Sequence, residues 1–174
     1  VVGQREFSRE IEIARIPTGG RPFAIAAEPA ERAALAARLG VERIDRLVAE
    51  GTVRRRAAEP LVTVEARLEA EVTQLCVVTL EPVTSRVEAS LLRLFAPGPA
   101  TTLEEIVIDP LHEEAEPLEG DRLDLGELVA EELAVALDPY PRAPGAALVI
   151  EQAAAGEQGV QPGRPGANGR GDRP

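Results

Sequence analysis

From Val62 to Thr73 the chain alternates: Val62, Val64, Ala66, Leu68, Ala70 and Val72 interleave with Thr63, Glu65, Arg67, Glu69, Glu71 and Thr73. A period of two is that of an extended strand with one buried and one wet face. After a connection at Cys76–Pro82, a second strand is predicted from Val83 to about Phe95. Two long strands joined this way should form an antiparallel hairpin at the centre of the fold.

The flanking segments carry weaker patterns. Phe7, Ile11 and Ile13 predict a strand over residues 7–13, with Arg9 interrupting its apolar side. Pro17-Thr-Gly-Gly20 reads as a turn, and Phe23–Ala27 as a short strand. Pro29 suits the first turn of a helix, Leu35 and Leu39 share its inner face, and Gly40 ends it. Residues 41–50 are ambiguous. Ile44, Leu47 and Val48 have helical spacing, whereas Leu47, Ala49, Gly51 and Val53 alternate, and a strand from about residue 46 to 56 is the preferred reading.

Pro97-Gly-Pro99 closes the hairpin. Residues 100–122 are acidic and interrupted by proline, which predicts a long mobile loop with a short strand near Glu116–Leu118. Asp124, with Glu127 three residues on, predicts the cap of a second helix. Leu125, Leu128, Val129, Leu133, Ala136 and Leu137 form its stripe, and Asp138-Pro139 stops it. These elements predict an α+β domain over residues 1–151: an antiparallel sheet of four or more strands, two packed helices and an acidic loop. Residues 152–174, rich in Gly, Pro, Ala, Gln and Arg, are expected to be a disordered tail.

Composition sharpens this picture. Apolar residues are 44% of the chain and aromatics 2%, so the core must be built from Val, Leu, Ile and Ala. The lack of aromatics also removes the platforms on which single-stranded nucleic acid stacks. The net charge of −11 is unevenly spread: residues 1–58 hold 11 arginines against 8 acids, and residues 59–151 hold 5 against 20. A mildly basic first third thus precedes an acidic body, whose natural complement is cationic. One cysteine excludes an internal disulfide, and no stretch approaches the ~18 apolar residues of a membrane span. Val1 is not a translational start, and Val1–Ser8 has no long apolar run, so the expected compartment is the cytoplasm.

Catalytic motifs are absent. There is one His, no Gly-rich phosphate loop and no serine in a nucleophile elbow. His112-Glu113-Glu114 lacks the further ligands of a metal site, so no metal or cofactor is expected. Arg170-Gly-Asp172 lies in the tail and is read as coincidence. Two charge clusters remain as candidate binding groups. Arg54, Arg55 and Arg56 could clamp phosphate through their guanidinium forks, against the plainer reading of a charged strand end. Glu113, Glu114 and Glu116 could hold a basic protein.

A strand ending in Cys76-x-x-x-x-Glu81-Pro82-Val83 comes first, then a long strand closing near Leu94-Phe95 and an acidic loop. Glu119-Gly-Asp-Arg-Leu-Asp-Leu-Gly-Glu-Leu-Val129-Ala-Glu-Glu-Leu133 follows. In that order, over residues 5 to 145, these motifs resemble the YceD family of large ribosomal RNA subunit accumulation proteins. The resemblance implies a non-enzymatic factor for accumulation or maturation of 23S ribosomal RNA. Its partner would be precursor ribosomal RNA or a nascent large-subunit particle. The alternatives are an acidic, chaperone-like binder of a basic ribosomal protein and, more remotely, a carboxylate-based hydrolase. Many relatives carry a second cysteine where this chain has Thr79, and some carry cysteines where it has Asp138-Pro-Tyr-Pro-Arg142. A lone thiolate does not make a structural zinc site, so any metal in relatives is not expected here.

Overall fold

The structure, a computed structural model, describes residues 5–56, 61–97, 115–118 and 120–146. Strands β1 (Glu10–Glu12), β2 (Arg21–Ala26), β3 (Arg43–Arg55), β4 (Val62–Leu75), β5 (Pro82–Pro97), β6 (Glu116–Leu118) and β7 (Arg122–Asp124) accompany helices α1 (Pro29–Leu39) and α2 (Leu125–Ala136). Five strands form one sheet in the order β2-β3-β4-β5-β6, and β1 pairs with β7 in a second, two-stranded sheet. All neighbours are antiparallel except β5 and β6, which are parallel.

The β4–β5 hairpin is the longest ladder, running from Val62↔Phe95 to Leu75↔Pro82. Val62, Val64, Leu68 and Val72 are almost wholly buried. Each such side chain contributes roughly 1.5–3 kcal/mol relative to exposure. Leu35 and Ala36 of α1 and Val129, Ala130 and Leu133 of α2 join the same core, so both helices cover one face of the sheet. The opposite face stays wet, with Glu65, Arg67 and Glu71 exposed. A small second cluster of Leu61, Leu94 and Ala96 packs with Ala115.

Helix α1 begins at Pro29 and ends at Gly40, which sits at φ 67 in the left-handed region. Glu31 reaches back to accept the Glu28 N–H at 2.8 Å. Helix α2 is capped by Asp124, whose Oδ1 accepts from Gly126 N–H at 3.0 Å and Glu127 N–H at 3.3 Å.

Three expectations change. The strand foreseen over residues 7–13 shrinks to β1, because Ile13–Arg15 turn into a 3-10 helix whose Ile13 N–H donates to Asp121 O. Arg9 is no interruption: its guanidinium lies 4.8 Å above the Phe7 ring and grips Glu31 at 2.7 and 2.9 Å. The end of the foreseen loop is not loop, since Arg122 opens β7. Residues 98–114, with His112, and the tail over residues 152–174, with Arg170-Gly-Asp172, lie outside the described residues.

Candidate nucleic-acid interface

Strand β3 delivers Arg54 and Arg55 to its exposed end, and Arg56 follows immediately. Side chains alternate along a strand, so Arg54 and Arg55 take opposite faces. The register Arg54↔Thr63 puts Arg54 on the wet face, and Arg55↔Val62 puts Arg55 on the helix side. The three do not form one fork.

The fold adds a fourth cation. Arg21 opens β2 directly opposite Val53, so it shares the helix side with Arg55, one step further along β3. The turn before it, Pro17–Gly20, closes onto the same edge: Pro17 O accepts from Gly20 N–H at 3.1 Å and from Arg55 N–H at 3.5 Å. Gly20 has φ 87, and a side chain there would crowd Thr52 at 3.1 Å.

Arg21, Arg54 and Arg55 are exposed and have no acidic partner among the described residues. Most other arginines there are engaged. Arg5, Arg9, Arg38 and Arg122 bind Asp124, Glu31, Glu127 and Glu10. On the wet face Arg67 pairs with Glu88, and Arg86 with Glu69 and Glu88 at 3.0 Å each. The basic excess is therefore concentrated at the β2–β3 end. Sequence reasoning missed Arg21, because only the β2–β3 register, set across α1, brings it to this rim.

The acidic candidates are divided. Glu113 and Glu114 lie outside the described residues. Glu116 is committed to Arg93, at 2.6 Å, and Arg93 also approaches Glu132 of α2 at 3.8 Å. That pairing fastens β6 to β5.

Asp124 ties the N-terminal segment to α2. Its carboxylate, 8% exposed, accepts from Ser8 Oγ at 2.6 Å, Arg9 N–H at 2.7 Å and Arg5 Nη1 at 2.9 Å. Burial pushes its pKa up, but these bonds and that of Glu127 N–H outweigh burial and hold it below the usual carboxylate value. Glu31 is also lowered, chiefly by the Arg9 guanidinium, and Glu6 by a backbone hydrogen bond and Arg38.

The Cys76 turn wraps its sulfur in main-chain N–H donors. The buried sulfur accepts from Val78 N–H and Thr79 N–H at 3.4 Å each, and from Ala143 N–H at 3.2 Å. The Thr79 hydroxyl can give its one proton either to this sulfur or to Glu81 Oε2, 3.3 Å away. Main-chain hydrogen bonds thus satisfy the lone sulfur, with Thr79 at the position where the sequence resemblance implied a second cysteine. Among the described residues no three His, Cys, Asp or Glu side chains could hold a metal ion.

The hydrogen bonds, that of Thr79 first, lower the thiol to about 7 from a usual 9.0, against the opposing effect of burial. A depressed folded-state pKa contributes stability that is present above the unfolded pKa and lost as pH falls through the folded one. The midpoint difference between wild type and Cys76→Ser should therefore widen from pH 7 to 9, starting from roughly 2–4 °C. Thermal melts across that range check it. Stoichiometric zinc in protein purified without added metal would refute the hydrogen-bonded reading.

Among the described residues no helix is long and apolar enough to cross a membrane. Comparisons with curated proteins and with solved structures return no match. A family model described as "Large ribosomal RNA subunit accumulation protein YceD" matches residues 64–165. The match begins inside β4 and contains the Cys76 turn, β5 and α2, leaving the arginine rim before it. Covering 102 of 174 residues, more than half, it establishes that the chain belongs to the YceD family of large ribosomal RNA subunit accumulation proteins.

Proposed function

We propose that this chain is a binding factor for large-subunit biogenesis that promotes accumulation or maturation of 23S ribosomal RNA, acting in the cytoplasm. It contacts precursor RNA or a nascent particle through Arg21, Arg54, Arg55 and Arg56. The observation that carries this is the rim, where the exposed Arg21, Arg54 and Arg55 have no acidic partner while most other arginines among the described residues are tied down. Guanidinium forks match phosphate, and their affinity comes from counterion release. The lack of aromatics suits contact with the backbone of structured RNA rather than stacking on single strands.

A hydrolase is disfavoured. A general acid needs a carboxyl with a raised pKa, whereas among the described residues the shifted carboxyls, Glu6, Glu31 and Asp124, all move down. The acidic loop as a holder of basic protein rests on charge alone, with Glu116 already paired.

Binding of a 23S RNA transcript across a salt series tests the reading. Replacing Arg21, Arg54, Arg55 and Arg56 by Ala should weaken binding and flatten the salt slope by up to about four ion equivalents. Neutralising Glu113 and Glu114 should strengthen it by relieving repulsion. An unchanged slope in the arginine variant removes the rim from the interface. Failure of wild type to bind RNA at low salt defeats the reading.

A further inference from the structure

Seven large hydrophobic side chains are exposed among the described residues, and five of them, Leu75, Val77, Val78, Leu80 and Tyr140, lie in the β4–β5 turn or in the segment hydrogen-bonded to it. The turn and the segment after α2 form one surface. Val77 N–H donates to Pro141 O at 2.9 Å, and Gln74 Nε2 to Asp138 O at 3.0 Å. Single exposed hydrophobics are ordinary, whereas a contiguous set marks a contact surface.

Leu80 is its sharpest member. It is 71% exposed and sits at φ 60, the one described residue other than glycine with positive φ. Glycine or asparagine enters this region at little cost, and leucine does not. Neither the strain nor the exposure helps the chain fold. Both present an aliphatic side chain outward.

The surrounding charge selects the occupant. Glu42, next to Thr73 at the tip, together with Glu81 and Asp138, has no arginine partner among the described residues. Arg43 is taken by Asp45 at 2.7 Å, which leaves Arg142 as the nearby cation outside any ion pair. An aliphatic centre with an acidic border complements a basic polypeptide. RNA would meet carboxylates and a single aromatic ring, so it fits poorly.

We propose that the β4–β5 tip is a docking surface for a basic polypeptide, with Leu80, Val77 and Val78 as its anchors. Resting on the role in large-subunit biogenesis, the partner class is a basic large-subunit ribosomal protein. The arginine rim lies at the other end of β4, roughly 40 Å away at the strand rise per residue. RNA and protein can then be held at once, and the acidic body no longer conflicts with a role on RNA.

The test uses the full chain carrying Leu80→Asn, Val77→Ser and Val78→Ser. It is titrated against individually purified basic large-subunit ribosomal proteins, with 23S RNA as a parallel arm and sedimentation of the chain alone. Wild type should bind at least one of these proteins, and the variant should bind it about tenfold more weakly, with RNA affinity unchanged. Leu80→Asn alone, which relieves the backbone, should keep or raise the thermal midpoint and still weaken binding. Should the triple variant misfold, this single variant decides.

Equal protein binding by wild type and variant overturns the proposal. Loss of RNA affinity in the variant, or of a wild-type dimer, also overturns it by assigning the patch to RNA or to a second copy. If wild type binds RNA but none of the proteins, this inference alone falls. If it binds neither, the RNA reading falls as well.

Discussion

Asp124→Ala should cost about 2–4 kcal/mol of stability, from a lost helix cap together with further donors left without their acceptor. Two carboxylate oxygens serve Arg5, Ser8 and the N–H groups of Arg9, Gly126 and Glu127. Losing a helix cap by itself costs about 0.5–2 kcal/mol. The remainder comes from the half-buried donors of Ser8 and Arg9, left without that acceptor. Asp124→Asn keeps one acceptor oxygen and should lose less than the alanine variant.

The pH dependence follows from the lowered pKa. The carboxylate's contribution is fully present above its unfolded pKa of about 4 and is lost as pH falls through the lower folded value. Urea unfolding at pH 7 and at pH 3 should therefore show the gap between wild type and Asp124→Ala narrowing in acid. A gap below about 1 kcal/mol at pH 7 would show that residues 5–12 do not depend on this carboxylate for docking.

The central hairpin and both helix caps were legible because their signals are local. Alternation names the buried residues of β4, while Pro29, Gly40 and Asp124 mark helix ends by chemistry confined to a few neighbours. Residues 41–50 looked ambiguous for a definite reason. Ile44 faces Val72 and Arg46 faces Glu71, so Asp45 is an extra residue in the ladder. That irregularity lets Ile44 and Leu47, three apart, both face the core at 3% and 1% exposure from one strand. Helical spacing was thus the trace of a bulge.

The N-terminal segment failed differently. Phe7, Ile11 and Ile13 suggested alternation, but what places them is Asp124 and Asp121, more than 100 residues away. No window of sequence carries that pairing. The candidate sites were half legible for the same reason. Arg54, Arg55 and Arg56 show as a run, whereas Arg21 joins them only through strand register. At the hairpin tip, Val77, Val78 and Leu80 look like an ordinary apolar connection until the fold leaves them uncovered.

Gly51→Ala should destabilise the chain by about 3 kcal/mol or more, at or beyond the upper end of overpacking costs. A Cβ at Gly51 would lie 2.1 Å from Glu65 O and 2.7 Å from both Cα and Cβ of Ala66. Two of these atoms belong to the main chain and the third is fixed to it, so no rotamer change makes room. The strain must instead push β3 from β4 at the Gly51↔Ala66 pair, in the middle of the second longest ladder.

Gly19→Ala is the control. Nothing lies within 4 Å of a Cβ there, and Gly19 is not among the positive-φ glycines. That change should be neutral, or stabilising by about 0.4–1 kcal/mol through the unfolded state. The Gly51 effect should also reach function, since β3 carries Arg54 and Arg55 three and four residues further on. Under conditions where Gly51→Ala is still folded, its RNA affinity should fall while binding at the distant β4–β5 tip persists. Equal stabilities of the two alanine variants in urea would mean that β3 and β4 are not so closely apposed at Gly51.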